Sequence, residues 1–238
     1  MRRYGEKMKT IVGIIGAMSD EVSNIIALLE SHNEEVYSGI TFHTGRLYDK
    51  DVVVAQCGIG KVFSAVCTEI MILKYQPSLI INTGVGGALA SGLNTSDIVF
   101  ADRLCQHDMD TSAIGDPVGL VSGINKIYFD TDKRAVSILS EYAKAHGINY
   151  MVGTVASGDK FIAAKEDKKR ITDTFGAVAC EMEGASVAQV AYINSTPFAV
   201  VRAISDSADG DASMDYPTFL PIAVRISTEL TLHLVKEY

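Results

Sequence analysis

Apolar positions along the chain alternate between two rhythms, short β-branched runs and longer stretches with one apolar face. A β-branched run at 9–16 precedes a helical pattern at 20–31, with Val22, Ile25, Ile26 and Leu29 on one side. Residues 40–48 and 51–57 have strand character, and Asp49-Lys50 between them predicts a hairpin. A helix is predicted over 60–75; Pro77 stops it ahead of a buried strand at 79–83. Strands at 98–105, 151–156, 177–180 and 198–204 then alternate with helices at 130–146, 166–175 and 184–193. A last helix is expected over 217–236, with Asp215 as N-cap and Pro217 in the first turn. Residues 107–127 hold glycines and a proline with little periodicity and predict a long loop.

Nothing repeats at a fixed period and no linker divides the chain. One α/β domain over 1–238 with a mixed, largely buried sheet is the expectation, residues 1–8 forming a polar leader. The 238 residues are 47% hydrophobic and 21% charged, ordinary globular material. A net charge of −8 disfavours nucleic acid and anionic membranes as partners. No apolar run reaches the ~18 residues of a membrane span, and the N-terminus lacks the pattern of a signal peptide. Cys57, Cys67, Cys105 and Cys180 are scattered without a C-x-x-C pair, which points to buried thiols in a reducing cytoplasm. The five histidines stand apart in sequence, without an H-E-x-x-H, so no metal is expected.

Two glycine motifs fail their tests. Gly60-Lys61 lacks the first glycine of a P-loop (Ala55) and its hydroxyl residue (Val62). Gly84-Val85-Gly86-Gly87 has Leu89 where a dinucleotide fingerprint needs its third glycine. What remains is a glycine-rich turn after a buried strand, which either lets a ligand approach the backbone or binds nothing. Three carboxylates follow strands on the side where open α/β sheets bind ligands: Glu21, Glu183 and Asp206. Separated carboxylates suit acid/base hydrolysis, whereas any one alone could cap a helix or face solvent.

The segments GIIGAMSDE (13–21), CGIGKV (57–62), INTGVGGAL (81–89), SGDKFI (157–162), CEMEGA (180–185) and VRAISDSAD (201–209) carry a more specific message. In order and content they resemble the signatures of the 5′-methylthioadenosine/S-adenosylhomocysteine nucleosidases of the nucleoside phosphorylase family. The resemblance implies a single-domain α/β/α sandwich with a central mixed, twisted sheet. It also implies hydrolysis of the N-glycosidic bond of 5′-thio-substituted adenosines, in methionine salvage, without a cofactor.

By this resemblance Asp206 is the general acid at adenine N7 and Glu21 activates water. Glu183 binds the ribose hydroxyls and Met182 packs on the sugar. Phe161 stacks on adenine, the Ile162 backbone reads the base edge, and Gly87 lies in the base region. Met18, Ile59 and Tyr216 surround the sugar and its 5′ substituent, Tyr216 standing where the family often has Phe. Val85 stands where the family often has Ser. The resemblance further implies a homodimer in which Ile114 enters the neighbour's pocket; the apolar content of 107–127 points the same way.

Rivals remain. A phosphorylase of this fold needs a cation for phosphate, and its bacterial hexameric members carry Arg where this chain has Asn82. Other purine nucleosides, futalosine among them, fit the same residues. A catalytically dead nucleoside sensor would not need Glu21. A metal hydrolase would have to use His107-Asp108-Met109-Asp110.

Overall fold

A computed structural model describes residues 10–206 and 212–238, with only the backbone described for 212–219. Strand β1 (Ile11–Gly16) leads into α1 (Ser19–Ile26). Strands β2 (Glu30–Tyr37), β3 (Ile40–Leu47) and β4 (Lys50–Gln56) follow as an antiparallel meander. Helix α2 (Lys61–Tyr75) returns the chain to β5 (Leu79–Ala88) and β6 (Ile98–Gln106). An irregular segment with one 3-10 turn (Ser112–Ile114) ends at the short β7 (Phe129–Asp130). Alternation then resumes through α3 (Lys133–Ala145), β8 (Tyr150–Ser157), α4 (Lys165–Phe175) and β9 (Ala177–Glu181). Helix α5 (Gly184–Ile193), strand β10 (Phe198–Asp206) and helix α6 (Ala212–Glu237) complete the chain.

The strands form one mixed sheet, with β1 between β4 and β5 in parallel. Strand β5 is the hub. It pairs with β1 through Leu79–Asn82, with β10 along most of its length, and with β9 at Gly87 and Ala88. Because β10 also pairs with β6, and β6 with β8 and β8 with β9, twist closes these strands into a ring. Strands β4, β3 and β2 extend the sheet away from it, β2 forming the edge.

Both faces of the central strands are buried. Val12, Ile14, Leu79, Ile81, Val52 and Val54 pack towards α1, α3 and α6. Their alternates Ile15, Ile80, Val53 and Ala55 pack towards α2 and α5. Helix α4 covers a smaller third cluster through Ile171 and Phe175. The result is the expected α/β/α layering. Among the described residues no helix is long and apolar enough to cross a membrane, and all four cysteines are free and buried.

Several boundaries differ from expectation. Helix α1 ends at Ile26, and residues assigned to its last turn enter β2. Most of β2 is exposed and polar (ESHNEEVY), so backbone pairing to β3 holds it without an apolar signal. The glycine cluster is no turn: β5 runs straight through it to Ala88. Helix α6 is already formed at Ala212, which places Asp215 inside it rather than at its cap.

The 107–127 segment is better packed than its composition suggests. Val121 is buried and Val118, Leu120 and Ile124 are partly buried, which leaves Ile114 as the exposed one of the apolar group. Two of its acids are engaged within the fold: Asp108 holds Lys61 and the Asp159 N–H, while Asp110 accepts from the Ser112 N–H.

Candidate active site

Strands β1, β5, β9 and β10 deliver their ends to one cleft. Ala17 and Glu21 line it beyond β1, Gly86 and Gly87 within β5, Glu183 beyond β9, and Asp206 at the tip of β10. Met18, Ile59, Phe161, Ile162 and Met182 complete the wall. Ten of the eleven expected site residues can be placed. The side chain of the other, Tyr216, lies outside the described residues. Of the ten, Ile114 does not line the cleft of its own chain and is 82% exposed.

Glu21 sits in the first turn of α1 and is buried. Its Oε2 accepts from the N–H groups of Ala17 (2.7 Å) and Met18 (3.0 Å), and its Oε1 from that of Val85 (3.2 Å). Val85 thus contributes its main chain to the site by fixing the carboxylate. Burial raises the proton affinity of Glu21, against the pull of these N–H groups and of the Arg202 charge. A carboxyl so placed gives up its proton less readily than an exposed one.

The β5 glycines explain themselves here. A Cβ on Gly84 would stand 2.5 Å from Glu21 Oε1, and one on Gly87 would stand 3.0 Å from Asp206 Oδ2. Each glycine lets a carboxylate lie against the strand.

Glu183 caps α5 from a non-helical conformation, and its Oε1 accepts the Gly60 N–H at 2.8 Å. Gly60, at φ +100, precedes α2 and would bring a Cβ within 2.9 Å of Asp159 Oδ1. Burial, then the nearby Glu181 charge, pushes Glu183 up to about 7. Asp206 follows a register shift between β10 and β5, a bulge of the kind that re-aims a strand-end side chain. Its Oδ1 accepts from the Ser205 hydroxyl at 3.1 Å, and the buried Lys168 ammonium stands 3.5 Å from Oδ2.

Beneath these acids lies an ion pair that sequence reasoning missed. Arg202 on β10 donates to Glu181 Oε2 through Nη2 (2.6 Å) and Nε (3.2 Å), both side chains being buried. Its other contacts are the Asn82 carbonyl and side chain and the Val201 carbonyl. Glu181 also accepts the N–H groups of Glu183 (3.0 Å) and Gly184 (2.7 Å) and the Ser157 hydroxyl. Although burial opposes it, Arg202 and these donors hold Glu181 below the usual carboxylate range. The pair therefore fixes the backbone that carries Glu183. Both residues were within the quoted CEMEGA and VRAISDSAD segments, but only the folded chain shows that they meet.

One wall of the cleft comes from the loop between β8 and α4. Asp159 accepts the Lys61 N–H at 2.8 Å, and Asp108 joins the Lys61 ammonium (2.6 Å) to the Asp159 N–H (2.9 Å). This lock holds Phe161, half exposed over the cleft, next to buried Ile162. Cys180 also lines the cleft, and burial pushes its thiol up to about 12, leaving a neutral packing group.

The model of the Phosphorylase superfamily matches residues 11–236. A 5′-methylthioadenosine/S-adenosylhomocysteine nucleosidase of Oceanobacillus iheyensis is 38% identical over 227 residues, 95% of this chain and 99% of that one. The crystal structure of an S-adenosylhomocysteine nucleosidase from Streptococcus pyogenes, complexed with 5-methylthiotubericidin, superposes with a TM-score of 0.92 at 36% identity, covering 98% of each chain. A futalosine hydrolase of Helicobacter pylori matches with a TM-score of 0.92 at 36% identity, over 97% of this chain and 99% of that one. With three carboxylates on β-strand ends around one cleft and relatives of this closeness over nearly its whole length, the chain belongs to the phosphorylase superfamily and, within it, to the 5′-methylthioadenosine/S-adenosylhomocysteine nucleosidases.

Proposed function

We propose that the chain hydrolyses the N-glycosidic bond of 5′-methylthioadenosine and S-adenosylhomocysteine, and of 5′-deoxyadenosine, releasing adenine and the 5′-substituted ribose. The observation that carries this reading is the meeting of Glu21, Glu183 and Asp206 in one cleft. Adenine leaves poorly as an anion, and a proton delivered to N7 by Asp206 lets it leave neutral. As the bond breaks, positive charge grows on the ribosyl carbon, and buried anionic groups beside it lower its energy. Glu183 serves this role while binding the 2′- and 3′-hydroxyls, and Glu21 takes the proton of the attacking water.

The remaining wall suits the rest of the nucleoside. Phe161 offers its ring to adenine, and the Ile162 backbone and Gly87 border the base. Met182 packs on the sugar, with Met18, Ile59 and Tyr216 towards the 5′ tail. Arg202 is engaged with Glu181 and Asn82, so it already has the anion that a phosphate would replace. This favours water over phosphate as nucleophile.

The same reading includes a homodimer and a cytoplasmic setting. Val62, Phe63, Val66 and Leu73 form an exposed apolar stripe on α2, just after Ile59, which lines the cleft and is itself 56% exposed. A second copy over this stripe would shut the open side of the cleft and bring in its Ile114. Four free buried thiols suit a reducing compartment.

The deciding experiment measures adenine release from each of the three nucleosides with and without phosphate. Phosphate-independent release from all three is expected. Release that requires phosphate would make the chain a phosphorylase. The likeness to a futalosine hydrolase makes futalosine the fourth nucleoside to assay; preference for it would assign the 5′ pocket to a different tail.

A further inference from the structure

The polar edge of the sheet holds a second group of chemistry-bearing side chains. His32 and Glu34 lie on β2, and His43 lies on β3 directly opposite Glu34 in the register. The ring nitrogens His32 Nε2 and His43 Nδ1 are 2.9 Å apart. Oε1 of Glu34 stands 3.3 Å from the second and 3.6 Å from the first. Among the described residues this is the one group of three or more His, Cys, Asp or Glu side chains that converges as metal ligands would.

We infer that His32, Glu34 and His43 form a binding site for a borderline divalent transition metal of the Zn²⁺ type. The spacing carries the argument. Ligands ~2.0–2.1 Å from a tetrahedral ion stand ~3.3 Å from one another. The three edges of this triangle, 2.9, 3.3 and 3.6 Å, bracket that value. An ion just above the triangle would reach all three donors with small side-chain adjustments. Two imidazoles and a carboxylate form a donor set for zinc, cobalt or nickel, whereas calcium and magnesium favour oxygen ligands. Glu34 is 58% exposed and His32 34%, so water has access to the fourth position.

The backbone is shaped for this convergence. Ser31 sits at φ +53, and the β2–β3 register shifts between Glu30 and Asn33. A bulge there changes the direction of the side chain that follows, His32, and brings it across to His43. Strand β2 has little apolar anchorage, Val36 being 64% exposed. An ion joining β2 to β3 would therefore staple the sheet edge. The site shares no residue with the catalytic cleft and does not depend on the nucleosidase reading.

The test uses the untagged full chain, stripped with a chelator and dialysed, then titrated with ZnCl₂ and separately with CoCl₂. One equivalent of each should bind, cobalt should give the visible bands of a tetrahedral site, and the melting temperature should rise with zinc. At a zinc concentration ~100 times Kd the unfolding constant should fall ~100-fold. H32N/H43N should lose the binding, the cobalt spectrum and the zinc-dependent melting shift. Its far-UV circular dichroism spectrum and cooperative metal-free melting should match the parent, which shows that it is folded. Absence of zinc binding by the parent chain, or equal binding by the folded double variant, would overturn the site.

Discussion

The ammonium nitrogen of Lys168 stands 3.5 Å from Oδ2 of Asp206, and both side chains are buried. A cation at that distance favours the ionised carboxylate. In the proposed reaction Asp206 must nevertheless hold a proton when it meets N7, and the lysine charge would then set how readily that proton is held. Replacing the lysine by methionine keeps the volume and removes the charge, leaving a buried carboxylate that is easier to protonate. In K168M the alkaline limb of kcat/KM against pH should move to higher pH. An unmoved limb would show that Lys168 is only packing beneath the site.

Glu21 makes a different demand. Its two oxygens accept three backbone N–H groups, so Glu21→Gln must turn an amide NH₂ towards at least one donor. The loss of one such buried bond destabilises by ~1–3 kcal/mol, which a folded chain can survive. The chemical step should suffer far more, by over ~10², because an amide cannot take the proton of water. Nucleoside affinity should stay micromolar or tighter, since the proposed base and ribose contacts lie elsewhere. Near-normal turnover in E21Q would remove Glu21 from the mechanism.

Gly84→Ala tests why the cluster is glycine. The added methyl would lie 2.5 Å from Glu21 Oε1, and the carboxylate cannot retreat without stretching its bonds to Ala17, Met18 and Val85. Gly87→Ala meets Asp206 at 3.0 Å, which a shift of a few tenths of an ångström relieves. Turnover should therefore fall further in G84A than in G87A, both compared at equal folded fraction by circular dichroism. The reverse order would contradict the fit of Glu21 against β5.

How much of this was legible in the chain depends on what kind of interaction carried it. Helix α5 and the central strands follow from apolar spacing, because burial on both faces leaves a strong pattern. Strand β2 was invisible because its stabilisation is backbone pairing under exposed polar side chains. For the same reason His32 and His43 looked isolated until the hairpin placed them together. The three acids were found because they follow strands and sit in recognisable motifs. The Glu181–Arg202 pair was not, since a contact between residues far apart in sequence leaves no periodicity. Propensity favours a turn for the glycines, but the close approach of two carboxylates decides their place in β5.

Proton binding links the cleft to stability. Burial, followed by the Glu181 charge, raises Glu183 from 4.5 to about 7. Between those values the folded chain holds a proton that the unfolded chain has released, so stability falls as pH rises through this window. Burial of Glu21 adds the same sign. The lowered carboxyls of Asp108 and Asp110 act the opposite way towards and below their ordinary value of 3.8, and His107 and His233, lowered chiefly by burial, do so below their ordinary value of 6.5. The urea midpoint of the ligand-free chain should decline from about pH 6.5, above which the histidines no longer oppose it, to about pH 8. E183Q should flatten the decline. A midpoint that rises over the same range in the parent chain would contradict protonation of the empty site.

Ile114 offers the test of subunit exchange. It is 82% exposed at the tip of a well-packed segment and does not line its own chain's cleft. An isolated surface isoleucine needs no explanation, but one that enters a neighbour's 5′ pocket would be buried only in the dimer. In a two-fold pairing both clefts would depend on it equally. Ile114→Asp should then place a carboxylate where an alkylthio group packs. KM for 5′-methylthioadenosine should rise much more than KM for adenosine, whose 5′ end is a hydroxyl and gains little from an apolar wall. Equal effects on the two substrates would place Ile114 away from the tail. Sedimentation at assay concentration supplies the second arm: an active monomer there would remove the partner's contribution altogether.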